Sequence, residues 1–171
     1  MAPTFPSTTA PFVLAGLLAL AAAPSVAQSP PSPKAQTVAS GLQNPWAVAF
    51  LPDGRFLVTE RPGRLRVVNA DGQVQPAVQG LPEVAAGGQG GLLDVITDSA
   101  FASNRTIYFC FSEPGKGTTN STALARARLS QDAKRLEDVK VIFSQQPKFS
   151  STAHFGCRIV DVILFDPLIE N

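Results

Sequence analysis

Pro45-Trp46-Ala47-Val48-Ala49-Phe50-Leu51-Pro52-Asp53-Gly54-Arg55-Phe56-Leu57-Val58-Thr59-Glu60-Arg61-Pro62-Gly63-Arg64-Leu65-Arg66-Val67-Val68-Asn69-Ala70-Asp71-Gly72 is a series of short apolar runs cut by turn signals. The turns recur about every ten residues, the pattern of consecutive antiparallel strands. Trp46 to Phe50 runs into Leu51-Pro52-Asp53-Gly54, where proline presets φ and glycine accepts a left-handed conformation. Arg55 to Glu60 supplies the next strand, and Arg61-Pro62-Gly63 turns the chain again. In Arg64 to Val68, Leu65 and Val67 share one face while Arg64 and Arg66 share the other, so this strand has one wet side. Asp71-Gly72 closes the following hairpin. Four strands in about forty residues is the size of one propeller blade.

The pattern repeats further along. Leu92 to Thr97 reads as a strand, Phe101-Ala102-Ser103-Asn104 as a turn, and Thr106 to Phe111 as a strand apolar on both faces, as expected between neighbouring sheets. Leu124 to Leu129 alternates again, with Ala125, Ala127 and Leu129 opposite Arg126 and Arg128, and Val139 to Phe143 makes the outer strand. A third unit is expected to start near Ile159. No stretch carries a helical period, so the chain is all-β.

Before Thr37 the character changes. Phe12 to Ala23 is an unbroken run of Phe, Val, Leu, Ala and Gly, shorter than the about 20 residues a membrane-spanning helix needs. Small residues at Ser25 and Ala27 suit a signal peptidase cutting before Gln28, although no Lys or Arg precedes Lys34. Residues 1–27 are therefore expected to be a signal peptide, with a periplasmic or secreted product and no membrane span after its removal. Residues 28–36, rich in Ser and Pro, read as a solvated linker. What remains, about 135 residues, is one domain of ordinary size. A net charge of +1 with scattered basic residues excludes a nucleic-acid surface. Charged residues make only 16% of the chain, against 13 Gly and 15 Pro, a balance that suits many short strands joined by turns.

Two places carry candidate chemistry. Gly87-Gly88-Gln89-Gly90-Gly91 either makes a tight turn, the default reading, or brings backbone close to a bound ligand. It lacks the register of a phosphate loop, and Gln89 within it offers both a donor and an acceptor to a polar planar ligand. His154 is the one histidine in the chain, and so the one side chain able to exchange a proton near neutrality without a shifted pKa. With Cys157 it has the spacing of half a zinc site, but Cys110 is the only other cysteine, and zinc wants three or four protein ligands. There is no GxSxG elbow and no spaced Asp/Asn calcium loop, so no metal ligand is assigned. Cys110 and Cys157 are free to pair in an oxidising compartment, and sequence alone does not place them within bonding distance.

Taken in order, Gly41-Leu42-x-x-Pro45-Trp46-Ala47-x-Ala49-Phe50-Leu51-Pro52-Asp53-Gly54, Val58-Thr59-Glu60-Arg61-x-Gly63-Arg64, Gly88-Gln89-Gly90-Gly91-Leu92-Leu93-Asp94 and His154-Phe155-Gly156-x-Arg158 resemble the soluble quinoprotein sugar dehydrogenases. This is the glucose/sorbosone dehydrogenase family, and in particular its bacterial aldose sugar dehydrogenase branch. The resemblance covers Thr37 to Val160. It implies a six-bladed β-propeller, of which this chain would hold about two to three blades as an N-terminal part. It also implies binding of pyrroloquinoline quinone (PQQ) and calcium, oxidation of an aldose at C1 to the lactone, and an external electron acceptor. His154 falls on the family's catalytic base, Gln89 on a position that contacts the quinone, and Arg158 within the same motif as a cofactor-binding candidate.

The chain departs from the family in two ways. Cys157 stands where relatives carry glycine. After Val160, residues 161–171 diverge: Asp161-Val162-Ile163-Leu164 intervenes before Phe165-Asp166-Pro167, and the acid that orients the histidine in relatives is not reached. The calcium ligands and most quinone contacts belong to later blades in the family, and six blades of about 45 residues need roughly 270. The expectation is a truncated member, inactive by itself, with one apolar sheet face bare. A noncatalytic propeller-like module for carbohydrate or protein, or a nonfunctional gene remnant, are the competing readings.

Overall fold

Strand β1 (Pro45–Phe50) turns into β2 (Phe56–Glu60), then β3 (Arg64–Val68) and β4 (Val74–Ala77), forming an antiparallel sheet in the order β1-β2-β3-β4. The computed structural model describes residues 32–162. The chain divides into two units, Met1–Ala35 and Gln36–Asn171, and all elements lie in the second. The signal-peptide reading and most of the divergent tail fall outside the described residues.

The expected turns close as their residues dictate. Leu51 N–H donates to Arg55 O at 2.9 Å and Gly54 N–H to Leu51 O at 3.1 Å, with Gly54 at φ +82°. Asn69 and Gly72 make the corresponding bonds at the third hairpin. Pro76 sits on β4, which pairs only with β3, because proline has no N–H to give a second neighbour. Register pairs Ala49 with Leu57, Leu57 with Val67, and Thr59 with Leu65, so these side chains share one buried face. Val48 pairs with Val58 and Phe50 with Phe56 on the opposite face, which is open only toward β1: Phe50 is 71% exposed while Val58 is buried.

The second sheet has the order β5-β6-β7-β8, built from β5 (Leu92–Thr97), β6 (Thr106–Pro114), β7 (Asn120–Leu129) and β8 (Leu136–Ser144). Across β6 and β7, Ile107, Phe109 and Phe111 stand opposite Ala127, Ala125 and Ala123, large against small, leaving room for the first sheet above them. Leu57, Leu65 and Val67 pack with Leu92, Val95, Phe109 and Phe111 in one core. Burying a side chain of this size stabilises by roughly 1.5–3 kcal/mol. Thr59 bridges the sheets: its hydroxyl donates to Leu93 O at 2.6 Å and accepts Ala47 N–H at 3.0 Å.

Phe101–Asn104, expected as a turn, is a single helical turn, α1. Arg105 ends it in the left-handed region and donates to Leu129 O and Ser130 O, which holds the turn against β7. β7 begins at Asn120 rather than Leu124, and β8 at Leu136 rather than Val139. The ladder continues through the polar stretch Asn120-Ser121-Thr122, whose backbone pairs with Pro114, Glu113 and Ser112 although its side chains carry no apolar alternation. Two sheets stand among the described residues. Ile159 to Val162 form no strand there, and whatever follows lies outside them.

Candidate active site

The glycine loop and the histidine meet. Gly87 and Gly90 bond to each other as a tight turn, with Gly90 N–H on Gly87 O at 2.8 Å. The same loop also makes close approaches on two sides. A Cβ on Gly88 would lie 2.3 Å from Thr152 O, and one on Gly91 would lie 2.1 Å from Arg61 O. Arg61 donates its guanidinium to Gly88 O, and Leu92 N–H bonds Arg61 O at 3.1 Å. The tight turn is present, and the close approaches, which only glycine permits, are to Thr152 and Arg61 of the chain itself.

The segment bearing His154 arrives from β8. Asn120 binds Phe149 through both backbone groups and donates its side-chain amide to Ser151 O at 3.0 Å. Gln89 N–H then donates to Thr152 O at 2.8 Å, and His154 N–H donates to Gln89 Oε1 at 2.6 Å. His154 takes φ +65°, a conformation a β-carbon disfavours and its surroundings must hold. Its exposed side chain lines a cavity of about 290 Å³ with Asn120, Gln145, Phe149 and Phe155. Among the described residues no carboxylate partners its ring.

Behind the cavity Lys148 donates to Glu113, to Ser121 Oγ at 2.9 Å and to Ser144 Oγ at 3.3 Å. Burial pushes the Glu113 carboxyl upward, but Lys148 and Ser144 outweigh it and hold the group below the usual carboxylate range. The result is a stapled floor under residues 144–149. Sequence reading missed Asn120, Glu113 and Lys148, and nothing in their local spacing marks them.

Of the expected site residues, Gln89 and His154 are in direct contact. Arg158 faces elsewhere: it is 82% exposed, and its nearest acidic partner is Asp94 at 3.8 Å. Asp94 is buried and receives Ile159 N–H on Oδ2 at 2.7 Å, so it ties down the backbone after the histidine. Cys110 and Cys157 form a disulfide, which removes the half-zinc reading.

Among the described residues no group of three His, Cys, Asp or Glu is placed to hold a metal ion, so they do not fit calcium. A planar tricarboxylate quinone fits them along one edge only. Gln89 keeps a free amide donor and His154 a free ring, while Arg61, Lys148 and Arg158 face Gly88 O, Glu113 and Asp94.

The two four-stranded antiparallel sheets define a pair of blades of β-propeller type. The chain belongs to the glucose/sorbosone dehydrogenase family, whose model matches residues 42–164. It is 39% identical over 150 residues to the aldose sugar dehydrogenase YliI of Escherichia coli K12, covering 87% of this chain and 40% of that protein. A crystal structure of a glucose dehydrogenase superposes with TM-score 0.68 at 47% identity, over 71% of this chain and 36% of the other. The PQQ-bound aldose sugar dehydrogenase of Streptomyces coelicolor gives TM-score 0.57 at 27% identity, over 66% and 33%. The chain thus spans two fifths or less of the length of these relatives.

Proposed function

We propose that this chain carries the base-bearing part of a PQQ-dependent aldose sugar dehydrogenase, oxidising the sugar at C1 to the lactone and passing electrons to an external acceptor. The observation that carries the reading is the contact between Gln89 and His154 beside a cavity of mixed polar and apolar lining, in a chain of this family. An imidazole nitrogen of His154 takes the C1 hydroxyl proton, a role open to an exposed imidazole ring. Gln89 fixes the backbone of that histidine and turns its remaining amide donor toward the quinone edge. When bound, the quinone supplies the two-electron acceptor. Arg158 serves the cofactor only if it leaves Asp94. Among the described residues none are grouped to hold calcium, and the chain is expected to reduce no dye without that ion. A periplasmic or secreted location suits its disulfide.

The test is quinone binding by the full chain, followed as quenching of Trp46, the single tryptophan. Binding weakened by Gln89→Ala supports the reading, and no binding at all counts against it. Dye reduction with glucose, PQQ and calcium by this chain alone would overturn the need for further groups. The lack of a carboxylate on the His154 ring among the described residues favours a second reading, a noncatalytic carbohydrate-binding module. That reading predicts glucose binding without quinone.

A further inference from the structure

Cys110 lies mid-strand on β6, fully buried, on the face away from Phe109 and Phe111. Its partner Cys157 lies three residues beyond His154, in a stretch without regular secondary structure. The backbone before His154 is held by Asn120 and Gln89, and after Arg158 by Asp94 through Ile159. Between these two points, among the described residues, Phe155, Gly156 and Cys157 make no hydrogen bond, and the disulfide alone ties them to the sheet.

A left-handed histidine is strained, and such strain persists only where the surrounding structure holds it. Gln89 fixes the entry. We propose that the Cys110–Cys157 disulfide is a positioning element for His154. It fixes the exit of the strained turn, so the imidazole faces the cavity with Asn120 and Phe149, and opening the bond releases that turn while the sheet stays folded. The catalytic meaning of this device rests on His154 acting as the base; the mechanical coupling does not. Because the site is assembled only when the bond is closed, its geometry depends on an oxidising compartment.

Opening the bond with dithiothreitol is a two-electron exchange. One reagent thiolate attacks the part-exposed Cys157 sulfur, Cys110 leaves as a thiolate, and the second reagent thiolate releases Cys157. Cys110 and Cys157 end as thiols and the reagent as its cyclic disulfide.

His154 is the only histidine, so its Cε1–H gives a single proton resonance in the full chain. Oxidised protein, dithiothreitol-reduced protein and the Cys110→Ala/Cys157→Ala variant are compared by this resonance and by amide hydrogen exchange. The variant removes the bond without leaving a buried thiol. Reduction and the variant are each expected to shift and broaden the histidine resonance and to speed exchange at the two bonded amides that flank the turn, His154 and Ile159, by about tenfold, with β6 and β7 unchanged. An unmoved resonance with unchanged exchange in a folded, reduced protein overturns the proposal. So does loss of protection across β5 to β8, because the bond would then hold the sheet and not the turn. Neither sugar nor quinone is present, so failure here is separate from failure of the dehydrogenase reading.

Discussion

Gln89 and His154 clasp each other's segments across 65 residues: the Gln89 side chain accepts the His154 N–H at 2.6 Å, while the Gln89 N–H binds Thr152 O at 2.8 Å. One residue of the glycine loop therefore fixes two consecutive turns of the histidine segment, one through its backbone and one through its side chain. Gln89→Ala removes only the second bond. The expected loss is about 0.5–1.5 kcal/mol in a urea titration, with amide exchange at His154 faster and that of the residue-89 amide, which binds Thr152 O, little changed.

Gly88 is where that clasp is most sensitive to side-chain volume. Its absent Cβ would meet Thr152 O at 2.3 Å, and its φ of +53° already disfavours an L residue. Gly156, inside the His154-Phe155-Gly156 motif, has open space around it and no left-handed backbone. Gly88→Ala is expected to destabilise by roughly 1–3 kcal/mol and to displace the His154 resonance. Gly156→Ala should stay within about 0.5 kcal/mol of the parent, measured the same way. Equal effects of the two would mean that backbone contact with Thr152 does not explain the glycine loop.

The strands were legible in the sequence because a sheet with one buried face writes period-two alternation, as in Leu65 and Val67 or Ala125 and Ala127. Turn residues such as Asp53-Gly54 and Asp71-Gly72 then set their ends. Asn120 escaped because the start of β7 is polar and pairs by backbone, and α1 because four residues carry no period. Linked motifs singled out Gln89 and His154 as candidates, but not their contact, since nothing local encodes an encounter between distant loops. The same holds for Cys110 with Cys157, for Glu113 with Lys148, and for the choice between tight turn and close approach at Gly88.

Thr59 tests how the two sheets are joined. Fully buried, its hydroxyl serves Leu93 O and Ala47 N–H together. Thr59→Val keeps the shape but leaves both backbone groups without this partner. A loss of about 1–3 kcal/mol is expected in chemical denaturation, against a smaller change for Thr97→Val at the half-buried end of β5.

Acid should weaken the fold through two carboxylates. Burial raises Glu60, but the Gln43 N–H and the guanidinium groups of Arg64 and Arg66 outweigh it and leave its pKa lowered; Glu113 is lowered by Lys148 and Ser144 against its own burial. A carboxylate whose folded pKa lies below its unfolded value, about 4.3, contributes stability that is complete above that value. It is lost as pH falls through the folded pKa, because protons then bind the unfolded chain more readily until both states are protonated. Urea midpoints are therefore expected to hold steady from pH 7 to about pH 5 and to fall below it. Glu60→Gln should lower stability at pH 7, since Arg64 and Arg66 lose their counter-charge, and should flatten the acid limb. An acid limb unchanged in both Glu60→Gln and Glu113→Gln would assign the acid sensitivity to other groups.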